Sequence, residues 1–422
     1  MAIETFAQQI EELGKKARAA SRILALCPAE EKNAALRAMA DALEAAGSDI
    51  MSANARDIEA APGHGLNAAA IDRLRLTPDR IRAMAKGVRE VANLPDPVGE
   101  IIREWTRPNG LKITKLRVPI GVVGIIYESR PNVTADAAVL CVKSGNACIL
   151  RGGKESIHSN MAIAAALSAG AVNAGLSPDV IQLVPFTDRD GVRLLAQMDR
   201  YLDVIVPRGG HALIEAVVEH ARMPVIKHYH GVCHVFVDRA ADLAMAERIV
   251  INAKCQRPGV CNATETLLVH RDVAEKFLPS VAAALQAHGV ELRGDERTRE
   301  LLGAVIKPAT EEDWTTEYLE LILSVRVVDS LGQAIDHIEH YGSHHSDTIV
   351  TADEVAARKF LAAVDSAAVF WNASTRFSDG GEFGFGAEIG ISTDKLHARG
   401  PMGLEELTTY KYLVAGAGQI RE

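Results

Sequence analysis

Apolar residues recur at helical spacing toward the amino terminus and at strand spacing further along. Phe6, Ile10, Leu13 and Ala17 have the spacing that keeps one face of a helix against a core. Thr77-Pro78-Asp79 gives a later helix an N-cap, a proline at its first position and an acid in its first turn. We therefore expect three or four helices before any sheet.

The pattern changes at Leu94-Pro95-Asp96-Pro97, a break that a helix cannot cross. Two alternating stretches follow, at 99–106 and 111–117, and Asn109-Gly110 between them is a strong signal for a β-hairpin. A long two-stranded ribbon is marginally stable alone, so we expect it to lie against another part of the protein or another subunit. The β-prone tail at 407–414 is a candidate partner for this ribbon.

Beyond the ribbon, short apolar stretches alternate with helical ones. Helices are expected near 134–144, 159–174, 190–198, 211–221 and 273–288. Strands are expected in GVVGIIY, ACILRG, VIQLVP, the apolar stretch at 202–207, PVIKH, CHVFVD, ETLLVH, LILSVRVV and DTIVT. This order predicts an α/β fold whose parallel sheets are covered on both faces.

Composition narrows the class of protein. The 422 residues favour two or three domains, and 46 basic against 55 acidic residues give a formal charge of −9, which disfavours a nucleic-acid partner. The amino-terminal segment is charged throughout and apolar runs are short, so neither a secretory signal nor a membrane span is expected. Six sparse cysteines without a C-x-x-C pair are expected to be thiols in a reducing cytoplasm.

Two glycine-containing turns at strand ends are candidates for binding a phosphorylated cofactor. No G-x-G-x-x-G follows the first strand of the alternating region. However, Arg151-Gly152-Gly153-Lys154 ends one strand, and Pro207-Arg208-Gly209-Gly210 ends another before a helix whose N-terminal amides favour an anion. Each stretch alone also fits a tight strand-helix turn, but the pair favours a cofactor site.

Cys261 is distinctive among the cysteines. It lies just beyond Pro258-Gly259, between Arg257 and Asn262, at the entrance to a strand. A loop of this kind can present a side chain in a cleft, where a nearby cation favours the thiolate. From local sequence alone the alternative is a small buried residue, the commoner fate of cysteine.

Three further segments are polar enough to bind a ligand. His228, His230 and His234 would share one strand face, and could ligate zinc, only if the chain near Gly231 stays extended; a polar strand end lining a cleft is the alternative that we favour. The 344–347 loop fits binding and plain solvation equally. The 370–377 segment and the glycine-rich stretch at 380–386 combine side-chain donors with a backbone that a ligand can approach; the alternative is a structural crossover.

The segments 118–137, 256–270 and 372–412 together resemble the gamma-glutamyl phosphate reductases, the proline-biosynthetic branch of the aldehyde dehydrogenase superfamily. They read VPIGVVGIIYESRPNVTADA, QRPGVCNATETLLVH and NASTRFSDGGEFGFGAEIGISTDKLHARGPMGLEELTTYKY. The resemblance spans nearly the whole chain. It implies two Rossmann-like parallel-sheet domains and a β-ribbon oligomerisation element: a cofactor domain at 1–97 and 119–231, a catalytic domain at 232–403, and a ribbon at 98–118 and 404–422.

The resemblance also assigns roles to residues. Cys261 takes the position of the family nucleophile, and either Ser129 or Asn132 that of the oxyanion donor. Arg151 stands where the superfamily has a lysine that binds the adenosine ribose. The turn from Pro207 to Gly210 corresponds to the pyrophosphate loop, and Glu317 to the glutamate that holds the nicotinamide ribose. With Lys154 nearby and no acid to hold a free 2′-hydroxyl, NADP is expected rather than NAD.

One departure from the aldehyde oxidisers is informative. Where they carry the general base in Glu-Leu-Gly-Gly, this chain has His228-Tyr229-His230-Gly231. Hydrolysis of a thioester needs a base that activates water, whereas reduction of an acyl phosphate requires that water be kept away. The resemblance thus implies NADPH-dependent reduction of L-glutamate 5-phosphate to L-glutamate 5-semialdehyde and phosphate through a Cys261 thioester, the second step of proline biosynthesis.

The substrate's amino-acid end should need opposite charges. Arg376 with Asn372, Ser374 and Thr375 is the candidate for the carboxylate or phosphate, and His345 with Asp347 for the other pole. We expect a cytoplasmic homo-oligomer, dimer or tetramer, without metal, nucleic acid or membrane; association with glutamate 5-kinase is left open. The rival functions are a phosphate-independent aldehyde dehydrogenase, a zinc-dependent alcohol oxidiser and a non-catalytic scaffold.

Overall fold

The computed structural model of the chain describes residues 2–421 apart from 129, 304 and 305, without the side chains of 2–5, 69 and 189. These residues form two compact units. The first comprises Met1–Lys227, Gly384–Gly390 and Met402–Glu422, and the second His228–Phe383 and Ile391–Pro401. The boundary thus falls at Lys227, where 231 was expected, and the chain returns to the first unit at Gly384–Gly390.

The first unit begins with helices, as the apolar spacing predicts. Thr77 accepts a hydrogen bond from the backbone N–H of Arg80 at 3.2 Å, so the capped helix starts at the predicted Pro78. Its elements are α1 (Ala2–Leu24), α2 (Ala29–Ala45), α3 (Gly47–Ala60), α4 (Ala68–Leu74), α5 (Pro78–Asn93), β1 (Ile101–Thr106), β2 (Lys112–Pro119), β3 (Val122–Tyr127), α6 (Asn132–Lys143), β4 (Ala147–Arg151), α7 (Ile157–Asn173), β5 (Ile181–Leu183), α8 (Arg189–Ala196), β6 (Val204–Arg208) and α9 (His211–His220).

A parallel sheet in the order β5-β4-β3-β6 is the centre of the first unit. Ile10 and Ala17 of α1 are buried in the same cluster as Ile126 and Ile149 of the sheet. The stretch PVIKH, expected to be a strand, contributes only a bridge between Val225 and Ile205. Pro224 has no N–H with which to extend a ladder, so the segment adds no strand to the sheet.

The second unit is built around a parallel sheet in the order β10-β9-β11-β8-β7-β12-β13. Apolar residues of α10 and α11 are buried on one face of it, and those of α13 and α14 on the other. Its elements are β7 (Cys233–Val237), α10 (Leu243–Cys255), β8 (Thr264–His270), α11 (Arg271–Ala287), β9 (Glu291–Gly294), α12 (Glu296–Leu302), β10 (Lys307–Pro308), β11 (Ile322–Val328), α13 (Leu331–Tyr341), β12 (Ser346–Val350), α14 (Glu354–Ala363), β13 (Ala368–Trp371), β14 (Ile391–Ser392) and β15 (Gly400–Pro401). The predicted α/β class, with covered parallel sheets, is confirmed.

The ribbon of the first unit is antiparallel. Strands β1 and β2 form the predicted hairpin, and Gly110 closes its turn with a φ of +87° and an N–H donated to the Arg107 carbonyl at 2.9 Å. The last strand, β16 (Thr408–Ala415), pairs along the whole of β2, as the β-prone tail predicts. Among the described helices, none combines the length and apolar character that crossing a membrane requires.

Candidate active site

Cys261 lies half-buried in the loop between α10 and β8. Because β8, β7 and β12 are parallel neighbours, the segments that precede them meet at the amino edge of the second unit's sheet. His228 precedes β7 and His345 precedes β12. One donor atom each from His228, Cys261 and His345 lies within 4.8 Å of the other two. We call these three residues the Cys-His cluster.

The backbone of Cys261 is held firmly from behind. A Cβ added to Gly231 would lie 1.9 Å from the Cys261 carbonyl oxygen, so only glycine fits there. The Cys233 thiol donates to the same oxygen at 3.2 Å. Burial raises the pKa of Cys233 well above its usual value, so this sulfur keeps its proton and serves as a donor. Gly231 and Cys233 thus fix the position of the Cys261 backbone.

The two imidazoles of the cluster are themselves oriented. Nδ1 of His228 lies 2.9 Å from the Ile391 carbonyl oxygen, and because a carbonyl only accepts, Nδ1 carries the proton. In the neutral ring Nε2 of His228 is therefore the basic nitrogen. His345 is fully buried, with Nδ1 2.9 Å from the Ser346 hydroxyl and 3.7 Å from the Cys233 sulfur. Both rings are positioned for proton transfer or for ligation.

Arg376 braces the loop that carries Cys261. Its Nε donates to the Gln256 side-chain oxygen at 2.8 Å, and its Nη1 donates to the side-chain oxygen of Asn262. Burial lowers the pKa of Arg376 and neighbouring Arg257 adds to this, while Asp379 and Cys261 act in the opposite direction. Arg376 therefore adds positive charge beside the nucleophile and ties its loop on both sides.

Several residues predicted to touch the substrate are engaged by the fold. The Asn372 amide exchanges two hydrogen bonds with the backbone of Thr351, at 2.9 and 3.0 Å. The Ser374 hydroxyl accepts the N–H of Arg376 at 3.3 Å, and Thr375 donates to the Asn262 carbonyl at 2.7 Å. These bonds engage part of each side chain in the fold, and substrate contact by Asn372, Ser374 and Thr375 stays a prediction.

Asp347 is also engaged by the fold. It is fully buried in β12, where it accepts hydrogen bonds from the His234 ring and backbone, both at 2.8 Å, and from the Ser366 hydroxyl. His345, two residues earlier, is the member of the expected pair that lies beside Cys261. The role of this pair in binding the substrate stays a prediction.

The three histidines considered as a zinc site have different partners. His228 joins the Cys-His cluster, His230 has Nδ1 3.9 Å from a Glu317 carboxylate oxygen, and His234 pairs with Asp347. The chain is irregular from 226 to 232 and β7 begins only at Cys233, so the extended conformation that would align them is missing from this stretch.

Glu317 lies beside the same loop. Its side chain is 14% exposed and accepts a hydrogen bond from the backbone N–H of Gly231. Burial raises the pKa of Glu317, while the Gly231 hydrogen bond and the nearby His345 oppose that shift. Glu317 is thus held next to the Cys-His cluster by backbone that also supports Cys261.

A separate cavity of about 530 Å³ lies at the carboxyl edge of the first unit's sheet, where open α/β sheets bind ligands. Arg151 lines it, with Nη2 donating to the Thr187 carbonyl at 2.8 Å and a buried Nε that has no hydrogen-bond partner among the described residues. Lys154 and Arg193 add two more cations. An apolar wall is formed by Val192, Ala212, Leu213 and Ala216. The cavity fits an adenosine with its phosphates.

Acidic groups in this cavity correct the basis of the cofactor prediction. Glu155 lines it beside Gly153, so an acid for a ribose hydroxyl is present after all. In the expected pyrophosphate turn, β6 carries Pro207 and Arg208, and the N–H of Gly210, at the start of α9, donates to the Glu128 carboxylate at 2.9 Å. An anion at that turn would have to replace this carboxylate. Gly209 packs against the same Glu128, and Gly152 packs against Asn160.

Of the two candidate oxyanion donors, Asn132 lies among the residues that the structure describes. Ser129 lies outside the described residues. Asn132 begins α6 and donates one amide hydrogen to Asp136 at 2.8 Å, leaving its second amide hydrogen for another acceptor.

Comparison with known proteins places this arrangement in context. The model of the aldehyde dehydrogenase family matches residues 4–322. The chain is 60% identical over 416 residues to the gamma-glutamyl phosphate reductase of Moorella thermoacetica, covering 99% of each chain, and 56% identical over 418 residues to that of Geobacter metallireducens, covering 99% of this chain and 100% of the relative. The crystal structure of gamma-glutamyl phosphate reductase from Thermotoga maritima superimposes with a TM-score of 0.96 at 47% identity, covering 98% of this chain and 100% of that one.

Proposed function

Because the chain belongs to the gamma-glutamyl phosphate reductase family, within the aldehyde dehydrogenases, we propose that it reduces L-glutamate 5-phosphate to L-glutamate 5-semialdehyde and inorganic phosphate in proline biosynthesis. The observation that carries this proposal is the contact of Gly231 with the backbone of Cys261. The segment that aligns with the water-activating base of aldehyde oxidisers is used here to hold the nucleophile. The glutamate of that segment is replaced here by His228, whose imidazole lies in the Cys-His cluster.

Acyl transfer is the first step. The Cys261 sulfur attacks the carbonyl carbon of the acyl phosphate, the C–S bond forms and the C–O bond to phosphate breaks. The oxyanion is stabilised by the backbone N–H of Cys261 and by the amide of Asn132 or the hydroxyl of Ser129. Arg376 supplies the positive charge that a thiolate nucleophile requires nearby.

His228 carries the proton in this step. Its Nε2 accepts the proton of the Cys261 thiol, because Nδ1 is already protonated and bonded to the Ile391 carbonyl. The imidazolium then returns that proton to the departing phosphate oxygen. His345 lies beside Cys261 and His228, where its imidazole is a further polar group. Its ring is held by the Ser346 hydroxyl.

Reduction completes the cycle. A bound reduced nicotinamide cofactor would supply the hydride that the thioester carbon receives. The C–S bond then breaks, the semialdehyde leaves and Cys261 is again a thiolate. Overall, the acyl phosphate, one reduced cofactor and one proton give the aldehyde, phosphate and the oxidised cofactor. Glu317, held beside the cluster, is our candidate for binding the nicotinamide ribose.

We assign the cofactor as NADP(H) on the donors that the cavity offers to a 2′-phosphate. Arg151, Lys154 and Arg193 line the 530 Å³ cavity and can each donate to a phosphate oxygen. Glu128, Glu155 and Asp190 line it as well and balance their charge, so the assignment rests on these donors and not on a net positive cavity. Glu155 opposes this preference, because its carboxylate would repel the phosphate and accept from a 2′-hydroxyl.

A pair of variants tests the cofactor assignment. Glu155→Gln should raise the kcat/KM ratio of NADP over NAD, and Lys154→Gln should lower it, each by about tenfold, or 1.4 kcal/mol. Arg56→Gln, on the exposed part of α3, is the matched control and should leave the ratio unchanged. Equal ratios in all three variants would mean that neither residue 154 nor residue 155 contacts the 2′-phosphate.

We also propose that the chain assembles as a homo-oligomer in the cytoplasm. The ribbon exposes large apolar side chains on both of its faces, Tyr410, Tyr412 and Val414 on one and Leu413 and Ile101 on the other, and exposed apolar surface of this kind is what a second copy covers. All six cysteines are unpaired thiols, which suits a reducing compartment. Light scattering of the purified chain distinguishes monomer, dimer and tetramer, and co-purification tests association with glutamate 5-kinase.

The decisive experiment runs the reaction backwards. Purified protein receives NADP and glutamate semialdehyde, which is in equilibrium with its cyclic imine, and NADPH formation is measured with and without inorganic phosphate. Strict dependence on phosphate supports the proposal, whereas activity without it identifies a phosphate-independent aldehyde dehydrogenase. Cys261→Ser should abolish turnover but retain cofactor binding, while Cys255→Ser, at the end of α10, should remain active.

A further inference from the structure

The Cys-His cluster offers more than a nucleophile and a base. Its sulfur and two imidazole nitrogens form a compact set of soft and borderline donors, and they lie mutually within 4.8 Å. Thiolate with imidazole is the donor combination that zinc prefers in proteins. We propose that the cluster binds one Zn²⁺ ion reversibly and that the bound ion inhibits the enzyme.

The distances fit a tetrahedral ion after a small adjustment. Zinc bonds of about 2.0–2.1 Å to nitrogen and about 2.3 Å to sulfur place neighbouring donors roughly 3.3–3.6 Å apart. Donors already within 4.8 Å reach that spacing when each pair closes by at most about 1.2–1.5 Å. Gly231 and Cys233 hold the backbone of Cys261, so at that residue the adjustment falls to the side chain.

The groups behind the donors also suit an ion. Nδ1 of His228 donates to the Ile391 carbonyl at 2.9 Å, which is the backbone partner that a zinc-bound histidine usually has on its other nitrogen. Nδ1 of His345 is similarly engaged with Ser346 at 2.9 Å. Three protein ligands leave the fourth position to water, as in zinc sites that exchange ligands.

The Cys-His cluster cannot hold zinc and catalyse the reaction at the same time. Binding replaces the thiol proton of Cys261 with zinc, and the proton is released to solvent. The sulfur lone pair that attacks the acyl phosphate is then part of the Zn–S bond, and His228 can no longer accept a proton. Once the thioester has formed, the sulfur has lost its negative charge, so the acylated enzyme should not bind the ion.

Cobalt absorption tests the site without any substrate. Titration of the full-length protein with Co²⁺ should give the intense visible bands of a tetrahedral ion and a thiolate charge-transfer band, at one ion per chain. Cys261→Ser should remove the charge-transfer band, and His228→Asn should weaken binding by at least about tenfold. Cys255→Ser and His64→Asn, at two positions away from the cluster, should titrate like the parent protein.

Activity provides the second measurement. Zn²⁺ should inhibit phosphate-dependent NADPH formation, and a chelator should restore it fully. Because the cobalt spectrum needs no turnover, it separates failure of the zinc site from failure of the proposed reaction. Weak octahedral bands that are the same in the parent protein and in Cys261→Ser, or binding unchanged in His228→Asn, would overturn the proposal. His345→Asn adds a third ligand variant, accepted only if its melting temperature matches that of the parent protein.

Discussion

Substitution of Gly231 by alanine should misplace the nucleophile without touching any reacting group. The added methyl carbon would lie 1.9 Å from the Cys261 carbonyl oxygen and 2.5 Å from its Cα, both of them backbone atoms. Reaching even 3.0 Å requires the two segments to separate by about 1.1 Å. A displacement of this size at a reacting group typically costs about 100-fold in rate.

The matched control is in the nucleophile loop itself. An alanine at Gly259 would have its nearest neighbour at 3.6 Å, an ordinary contact, although it lies two residues from Cys261. We expect Gly259→Ala to stay within about threefold of the parent enzyme and Gly231→Ala to lose about 100-fold in kcat, measured as phosphate-dependent NADPH formation. Overpacking should also lower the stability of Gly231→Ala by about 1–3 kcal/mol.

Two further measurements separate misplacement from unfolding. Circular dichroism at the assay temperature checks that Gly231→Ala is folded, and the rate of Cys261 alkylation reports on the environment of the sulfur. If Gly231→Ala retains the parent kcat and melting temperature, the contact between residues 231 and 261 does not position the nucleophile.

Three other predictions concern ionisable side chains that are buried or half-buried. His337 is buried and accepts from Arg326 at 2.8 Å; burial, assisted by His234 and Arg326, lowers its pKa from 6.5 to about 2, so the unfolded chain binds one more proton between those values. The free energy of unfolding should therefore fall below pH 6.5 by up to about 1.4 kcal/mol per pH unit. In urea unfolding, the difference between pH 5 and pH 7 should be smaller for His337→Asn than for the parent protein. The same difference in both proteins would exclude His337 as its cause. Lys254→Met leaves the fully buried carboxylate of Glu265 without its partner at 2.5 Å and should lower the free energy of unfolding by about 3–5 kcal/mol. Adding Glu265→Leu should restore most of that stability. A double variant no more stable than Lys254→Met would contradict this reasoning. Arg376→Lys should lower kcat about tenfold with little change in KM, because the guanidinium braces residues 256 and 262; a rise in KM alone would make Arg376 a substrate ligand.

The elements that could be predicted are those with local causes. The start of α5 follows from the Thr77 cap, and the hairpin follows from the turn at Gly110. The pairing of β16 with β2 was anticipated because a strand edge of the ribbon needed a partner. Each of these features can be read from a few neighbouring residues or from the need of a strand edge for a partner.

The site was less predictable because it depends on strand order. Residues 228, 261 and 345 are far apart in sequence and meet only because β8, β7 and β12 are adjacent in the sheet. Periodicity indicates that a strand is buried but does not indicate which strand lies next to it. A usable signal was present: Cys261 and His345 stand just before expected strands, and His228 ends one expected strand and precedes the next. Parallel strands bring such positions to one edge.

Side-chain roles are harder to predict for a different reason. Asn372 and Asp347 have the donors and acceptors that a polar substrate needs, but the ends of β12 and β13 use the same groups. Sequence alone does not indicate whether a polar group will be bonded to the backbone. Glu128 and Glu155 face the cofactor cavity only because the fold brings residues 128 and 155 to one sheet edge.

The pairing of β2 with β16 has a consequence for synthesis. The paired residues are separated by about 300 positions, from Lys112 with Ala415 to Pro119 with Thr408. At about 5–20 residues per second, a ribosome completes β16 roughly 15–60 s after β2 has been made. During that time one edge of the hairpin is an open template for pairing with another chain. Lys112, Lys115 and Arg117 lie along β2, but Lys112 is ion-paired with Glu104 and Arg117 with Glu100. Lys115 is therefore the residue whose charge disfavours edge-to-edge pairing until the last strand arrives.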